Sequence, residues 1–359
     1  MATYTTAISV VTVNFNHAAY LSMYIASLEA STYPIAEIII VDNASTDNSL
    51  DVLRKYPHVR VIENHENIGY SAALNQAIRQ ATSSLVCATG PDIQVAPDWL
   101  EPLIDQYAQN PTTTFAVASR ILTMDRRELQ SAGGSLHFTG HLNVFHMWEK
   151  VLPEYHSSRE SQQVGAVDST SMLIDRAKFL TIGGCDPAFF VYHEEFDYCY
   201  RARMRGWTCW YHPVSVVFHG SGSAEFSVRS QGQYPRMRPY LHTRNRLLSI
   251  LKNYQTKTLI AILPALLLVE VLNLLMLARL GLQQSYVDAL IWLVRHWRDI
   301  LLKRAVIQSY RQVNDGDLLT ADALTVTPIL LSNRSLALAK RCLDFWLQCY
   351  WYAIKKVLY

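Results

Sequence analysis

Several features that would narrow the function are scarce in this chain of 359 residues. Its six cysteines form no Cys-x-x-Cys pair and show no zinc-type spacing, which argues against a structural zinc site. We therefore expect reduced thiols in a cytosolic compartment. The formal net charge is +2, and no long Lys/Arg block or RNA-binding signature is present. We expect no nucleic-acid partner.

Charge is also scarce. Charged residues make up 17% of the chain, against about 25% in ordinary soluble domains. The apolar run Leu259–Leu280 lies in the C-terminal third, which predicts that part of the chain faces lipid. The first apolar run has no basic segment before it and is interrupted by Ser9 and Thr12. We interpret it as a buried strand rather than a secretion signal.

Apolar, β-branched runs alternate with amphipathic segments in the first part of the chain. The runs predict strands at Ala7–Asn14, Glu37–Val41, Val59–Ile62 and Leu85–Thr89. The segments between them predict helices at Tyr20–Ala30, Ser45–Leu53 and Ser71–Ala81, the last capped by Ser71. This alternation predicts an α/β fold with a doubly wound, mostly parallel sheet.

Two of these strands run into an aspartate. Asp42 and Asn43 follow the strand at Glu37–Val41, and Asp92 follows the strand at Leu85–Thr89. Ligands of open α/β sheets bind beyond the carboxyl ends of the strands. A nucleotide at Asp42 and a Mg²⁺ or Mn²⁺ ion at Asp92 would suit these positions. Turn chemistry explains the same residues without a ligand.

A third acidic cluster opens a predicted helix at Glu194. The helix dipole favours ionised carboxylates at Glu194, Glu195 and Asp197, which suits a general base. The alternative is a capped helix with an Asp197–Arg201 ion pair at i,i+4. Either reading predicts a helix that begins at this cluster.

Histidine and arginine follow this helix in the sequence. His219 ends a strand predicted at Val214–Phe218, and it is either a structural residue or a metal ligand. An irregular, mobile loop is predicted for 221–238. A basic patch, suited to a diphosphate, a lipid head group or simply solvent, consists of Arg229, Arg236, Arg238, Arg244 and Arg246.

The C-terminal part differs in character, and we predict a domain boundary between residues 1–240 and a helical region, 241–359. Leu259–Leu280 is strongly apolar but contains Glu270, which is costly inside a bilayer. A membrane span, an interfacial or re-entrant helix, and a soluble packed helix all remain open. The last predicted helix, Ser335–Tyr359, mixes aromatic with basic residues, as at a bilayer interface.

Taken in order, these segments resemble glycosyltransferase family 2, the inverting GT-A enzymes, and most closely its rhamnosyltransferase-like branch. Each motif is weak alone, whereas the ordered set is specific. The segments are Ile8–Asn16, Ile40–Asp47, Glu63–Tyr70, Gly90–Asp92, Gly183–Asp186, Tyr192–Asp197, His219–Ser223 and Arg244–Arg246.

The resemblance implies roles at matching positions. The nucleotide-sugar site would consist of Asn14, Asp42, Asn43, Asn67, Gly69 and Asp92. Asp92, with His219, would bind the divalent cation, Mg²⁺ or Mn²⁺. Asp186 would border the acceptor. Glu195 would be the base, although an aspartate is usual there, so Glu194 stays open as the alternative. Gly90 is a second departure, since the family commonly has asparagine at that position.

The resemblance therefore implies an inverting, metal-dependent glycosyltransferase. It would move a sugar, with rhamnose preferred, from a nucleoside-diphosphate sugar to a hydroxyl of a cell-surface glycan or lipid-linked acceptor. We expect it at the cytoplasmic side of the cell membrane, peripheral or partly inserted. One alternative is a sugar nucleotidyltransferase, although Asn14-Phe15-Asn16-His17 is not a glycine-rich phosphate loop. The other is a non-catalytic membrane scaffold of glycan synthesis.

Overall fold

The computed structural model describes residues 6–151, 159–220, 236–326, 334–356 and 358. The strands are β1 Ile8–Asn14, β2 Ile35–Asp42, β3 Val59–Glu63, β4 Leu85–Thr89, β5 Ile93–Val95, β6 Thr114–Thr123, β7 Leu129–Ser131, β8 Gly134–Leu136, β9 Leu142–Val144, β10 Gln162–Val164, β11 Ser171–Asp175 and β12 Thr208–His219.

Helices flank these strands and then form the C-terminal region. They are α1 Ala18–Glu29, α2 Ser49–Leu53, α3 Tyr70–Gln80, α4 Leu100–Gln109, α5 Arg176–Thr181, α6 Glu194–Arg203, α7 Met237–Asn253, α8 Thr256–Arg279, α9 Gln283–Arg295, α10 Trp297–Ser309, α11 Asp315–Leu318 and α12 Arg334–Lys355. A short 3₁₀ helix, Pro187–Phe189, precedes α6.

A mixed sheet of ten strands forms the centre, with the order β10-β12-β6-β11-β4-β1-β2-β3 and with β5 and β7 paired to β12 and β6. Strands β1 to β4 are parallel where they pair, as predicted from the alternation. Strand β11 runs antiparallel between β4 and β6. Because β1 and β2 are parallel and in register, Asn14 lies opposite Asp42 at the carboxyl edge.

The sheet separates two hydrophobic cores. One core packs α1 and α4 against one face, with Leu21, Trp99 and Leu103 buried in it. The other core lies on the opposite face and includes residues of α3 and α6 together with Leu247 of α7, Ile262 of α8 and further C-terminal side chains. The C-terminal helices therefore complete the second core. The boundary between 240 and 241 stays a prediction.

Three predicted helix starts differ from the structure, and the first is α1, which begins at Ala18 rather than Tyr20. Ser45 does not begin α2, because its amide and hydroxyl both bond to Asp42 and Ala44 has a left-handed φ of 64°. The helix begins at Ser49 instead. Ser71 does not cap α3, which follows Gly69 directly. Its backbone amide donates to the carbonyl of Phe190 at 3.1 Å, so a distant loop satisfies this end of the helix.

Helix α8 faces protein with one side and exposes the other. Ile262, Ala265 and Val269 are buried, whereas Ile260 and Leu267 are 70% and 56% exposed. Among the described residues, α8 is the one helix that is long and apolar enough to cross a bilayer, a test that rests on length and composition alone.

Glu270, the acidic residue within α8, lies on its protein-facing side. It pairs with Arg246 of α7 and accepts a hydrogen bond from the hydroxyl of Tyr286 at 2.8 Å. The charge that seemed costly for a membrane segment is therefore partnered within the protein.

Part of the predicted loop at 221–238 lies outside the described residues, which resume at Arg236, and Arg229 of the predicted basic patch lies outside them as well. Met237 and Arg238 belong to α7.

Candidate active site

The first group of polar side chains lies where β1 and β2 end. Asp42 is 1% exposed, and its Oδ1 accepts hydrogen bonds from Asn14 Nδ2 at 2.7 Å and Ser45 Oγ at 2.6 Å. Its Oδ2 accepts from the Ser45 amide at 2.9 Å. The structure buries Asp42 and bonds both of its carboxylate oxygens to protein donors. Asp42 therefore shapes this pocket rigidly.

The second group links the ends of β2 and β3. Asn43 Nδ2 donates to Asn67 Oδ1 at 2.7 Å, and Asn67 Oδ1 also accepts from the Gly69 amide at 3.0 Å. Gly69 has a φ of 82°, and a Cβ there would lie 2.5 Å from Cδ2 of Phe190. Only glycine fits this approach. Asn43, Asn67 and Gly69 are thus brought together beside Asp42, and their role in a nucleotide-sugar site stays a prediction.

Asp92 and His219 are neighbours, although they are far apart in the chain. His219 lies opposite Ile93 in the β12–β5 pairing, and its Nε2 is 3.3 Å from Asp92 Oδ1. Gln130 Oε1 lies 2.7 Å from His219 Nδ1, which orients the ring. Carboxylate and imidazole are suitable ligands for Mn²⁺. Among the described residues, no group of three or more His, Cys, Asp or Glu side chains is arranged to hold a metal.

The acidic pair stands at the start of α6. Glu194 is 4% exposed, whereas Glu195 keeps part of its surface exposed. Neither Oε2 atom has a hydrogen-bond partner among the described residues. Burial, and to a smaller extent the charge of Asp168, raise the pKa of Glu195 to about 7. Burial, and then the neighbouring Glu195, raise the pKa of Glu194 well above its ordinary value.

The acidic pair and Asp92 belong to the same edge of the sheet. The Gly90 amide, two residues before Asp92, donates to the carbonyl of Thr170 at 3.0 Å. The Thr170 amide donates to Oδ1 of Asp168 at 2.9 Å, the carboxylate that acts on Glu195. This chain of contacts follows from the antiparallel pairing of β11 with β4.

Asp186 lies in a network of buried charges. Its Oδ2 accepts from Lys252 Nζ at 2.8 Å, and its Oδ1 accepts from Lys303 Nζ at 2.6 Å. Burial opposes ionisation, but the two lysines hold the pKa of Asp186 well below its ordinary value. Lys252 also lies 2.9 Å from Asp197. The acceptor-binding role of Asp186 stays a prediction.

The ion pair suggested by the i,i+4 spacing in α6 is present, with Arg201 Nη2 2.7 Å from Asp197 Oδ2. The predicted basic patch is not a single surface, however. Arg244 and Arg246 are buried, and they bond to backbone carbonyls and to Glu270. These two arginines therefore serve the protein interior rather than a diphosphate.

The residue patterns did not single out two groups that the structure places near the site. His17 lies close enough to Asp92 for that charge to raise its pKa, although burial lowers it more. Its position just after β1 was a usable signal, since ligands gather beyond strand ends. Asp168 carried no local signal, because only the sheet pairing brings it to the acidic pair.

The sheet and this polar rim are those of an α/β enzyme that binds its ligand beyond the carboxyl ends of the strands. The model of the family described as "Glycosyl transferase family 2" matches residues 9–198, which is more than half of the chain. The chain belongs to glycosyltransferase family 2, whose members transfer a sugar from a nucleotide-sugar donor.

Two curated proteins are similar to part of this chain at about a quarter sequence identity. The N-acetylglucosaminyl-diphospho-decaprenol L-rhamnosyltransferase of Mycobacterium tuberculosis is 26% identical over 235 residues, which is 60% of this chain and 76% of that protein. The low-salt glycan biosynthesis hexosyltransferase Agl10 of Haloferax volcanii is 26% identical over 224 residues, 60% of this chain and 67% of that protein.

Solved structures share the fold. The mannosyltransferase PcManGT of Pyrobaculum calidifontis, in complex with GDP-Man and Mn²⁺, has a TM-score of 0.50 at 17% identity, over 99% of this chain and 87% of that chain. A crystal structure of GalNAc-T7 with UDP, GalNAc and Mn²⁺ has a TM-score of 0.54 at 19% identity, over 70% of this chain. This chain spans about half of the GalNAc-T7 chain, 48%.

Proposed function

We propose that the protein is an inverting glycosyltransferase in which Glu195 is the general base. The observation that carries the proposal is the Oε2 atom of Glu195, which has no partner among the described residues, in a side chain that retains some exposure. A carboxylate with a free lone pair and a pKa near neutrality is suited to accept a proton at physiological pH.

The proposed reaction is a single displacement. Glu195 accepts the proton of an acceptor hydroxyl while that oxygen attacks the anomeric carbon of the donor. The bond from the anomeric carbon to the nucleoside diphosphate breaks on the opposite face, so the configuration inverts. Glu194 is less exposed and carries the more strongly raised pKa. We therefore expect Glu194 to stay protonated at neutral pH, and we assign proton transfer to Glu195.

Asp92 and His219 would hold a divalent cation. The carboxylate and imidazole lie within 3.3 Å of each other, and two protein ligands leave coordination positions for phosphate oxygens. When bound, such an ion neutralises charge on a departing diphosphate. The Mn²⁺ in PcManGT and GalNAc-T7 supports the presence of a divalent cation. Asn14, Asp42, Asn43, Asn67 and Gly69 would line the nucleotide pocket.

We propose dTDP-rhamnose as the donor and a diphosphate-linked lipid sugar as the acceptor. The support is the mycobacterial relative, whose name specifies rhamnosyl transfer to such a lipid. The test is a panel of sugar nucleotides assayed for nucleoside-diphosphate release, with and without a chelator and with a lipid-linked acceptor. Release of diphosphate only in the presence of acceptor and metal is expected. Pyrophosphate release from a nucleoside triphosphate would instead indicate a nucleotidyltransferase, and no release from any donor would indicate a scaffold.

We also propose that the C-terminal helices bind the cytoplasmic face of a membrane. Four of these helices expose large apolar side chains, more than a soluble surface normally carries. Examples are Leu267 in α8, Val294 in α9, Leu302 in α10 and Phe345 in α12, which are 56%, 76%, 68% and 68% exposed.

Vesicle flotation tests membrane binding. We expect the protein to float with vesicles of anionic phospholipid, and the double variant Leu267→Lys/Leu275→Lys to stay at the bottom of the gradient. The matched control places the same two charges on the exposed end of α4, as Gln109→Lys/Asn110→Lys. Equal flotation of both variants would contradict the assignment, and extraction by carbonate would distinguish a surface-bound protein from an inserted one.

A further inference from the structure

We propose that Asn245 is a positioning residue for sugar transfer, because its side-chain amide holds the backbone that leads into the acidic pair. The inference rests on the proposed function only in assigning chemistry to that pair. The Arg244-Asn245-Arg246 motif was singled out in the sequence, and neither the donor pocket nor the metal pair uses it.

The backbone before the acidic pair is unusual. Phe190, Tyr192 and His193 have φ values of 65°, 70° and 74°, in the left-handed region that residues other than glycine rarely adopt. Three such residues within four positions persist only where surrounding contacts hold them. His193 is the residue directly before α6, so its conformation sets the direction in which Glu194 and Glu195 emerge.

Asn245 supplies the main contacts to this segment. Its Nδ2 lies 2.9 Å, 2.9 Å and 2.7 Å from the carbonyl oxygens of Phe189, Val191 and Tyr192. The side chain is fully buried. An amide nitrogen with two protons therefore serves three carbonyls of one strained segment.

Arg244 fixes the orientation of that amide. Its Nε donates to Asn245 Oδ1 at 2.9 Å, which identifies the oxygen and leaves the nitrogen facing the loop. Its Nη2 donates to the carbonyls of Ala188 and Phe189 at 2.7 Å and 2.8 Å. Arg246 has a different task, since it bonds to Thr139 and Glu270.

The opposite side of the segment contacts the proposed donor pocket. The carbonyl of Phe190 accepts the Ser71 amide, and the Phe190 ring lies against Gly69. The segment thus lies between α7 and the nucleotide side of the site. If Asn245 releases it, the carboxylates should move relative to the donor, while Asp42 and Asn67 keep their own contacts.

The experiment compares Asn245→Ala and the isosteric Asn245→Asp with Asn110→Asp, a change at an exposed position on α4's end. We measure kcat, the dissociation constant of the donor and hydrogen exchange of the amides in 187–193. Because misplacement of a catalytic group by about 1 Å costs roughly 100-fold in rate, we expect that loss in kcat for Asn245→Ala. We expect donor affinity to change by less than about threefold, as for an interaction that matters only in the transition state.

Hydrogen exchange should accelerate in 187–193 and stay unchanged in β1 to β4. Asn245→Asp keeps the shape of the side chain, and the same measurements are made on it if Asn245→Ala does not fold. A kcat within about threefold of wild type in a folded variant would overturn the proposal, as would an equal loss of donor binding with faster exchange throughout the sheet. If the wild-type protein transfers no sugar, the proposed function fails, whereas exchange in 187–193 still decides whether Asn245 holds the segment.

Discussion

Asp42 and Glu195 are two carboxylates at the same edge of one sheet, and they differ in their hydrogen bonding. Asp42 is buried and accepts three hydrogen bonds from Asn14 and Ser45. Glu195 keeps an oxygen atom without a partner among the described residues. A carboxylate whose oxygens accept hydrogen bonds from the protein holds a pocket in shape. A buried carboxylate with an unbonded oxygen has a raised pKa and accepts a proton more readily. The comparison distinguishes the proposed donor-binding wall from the proposed proton acceptor.

The largest effect should come from removal of the proton acceptor. Glu195→Gln keeps the shape and removes the lone pair that takes the proton, so kcat should fall by about 10³-fold. Donor affinity, measured by calorimetry, should stay near that of wild type. Glu160→Gln, at an exposed position, is the matched control. Wild-type turnover in Glu195→Gln, with a large loss in Glu194→Gln, would transfer the role to Glu194.

Asp92→Asn should have the next largest effect. Loss of the carboxylate weakens the proposed cation site, so we expect kcat/KM to fall by about 100-fold, with partial recovery at high Mn²⁺. Titration of activity with Mn²⁺ measures the change, and His219→Gln should shift the same titration less. Asp98→Asn, at an exposed site nearby, should leave it unchanged. An unchanged Mn²⁺ requirement in Asp92→Asn would contradict the assignment.

The pH profile of kcat sharpens the contrast between the two carboxylates. The base must be deprotonated, and burial raises the pKa of Glu195 to about 7. Activity should therefore fall about tenfold per pH unit below that value and level off above it. Asp168→Asn removes a negative charge that raises this pKa. The acid limb should then move to lower pH, and a limb that does not move would exclude Glu195 as the titrating group.

Asp42→Asn should have the smallest effect on chemistry and a clear effect on stability. The amide of the new side chain would face the donors Asn14 Nδ2 and the Ser45 amide, which leaves buried polar groups unsatisfied. We expect a loss of about 1–3 kcal/mol in the free energy of unfolding and a raised KM for the donor with little change in kcat. Chemical denaturation measures the first value. A fall in kcat comparable to that of Glu195→Gln would remove the distinction between the two residues.

The local patterns predicted the parallel half of the sheet well. Buried parallel strands are continuous apolar runs, and those at β1, β2 and β4 are readily visible in the sequence. The same patterns misplaced the starts of α2 and α3. The Ser45 amide donates to Asp42, three residues away, and the Ser71 amide donates to Phe190, which is distant in the sequence. Helix ends depend on such partners, and local propensity does not encode them.

The sequence alone determined the family, the α/β class and the presence of acidic residues at strand and helix ends, because short motifs and apolar periodicity are local properties of the chain. Tertiary structure decided which acids are saturated, which arginines are buried and that Glu270 of α8 pairs with Arg246. These outcomes depend on pairing and burial between different segments of the chain, such as Asn14 with Asp42 and Arg246 with Glu270. The dielectric setting and the hydrogen-bond partners of a carboxylate exist only once those segments have packed.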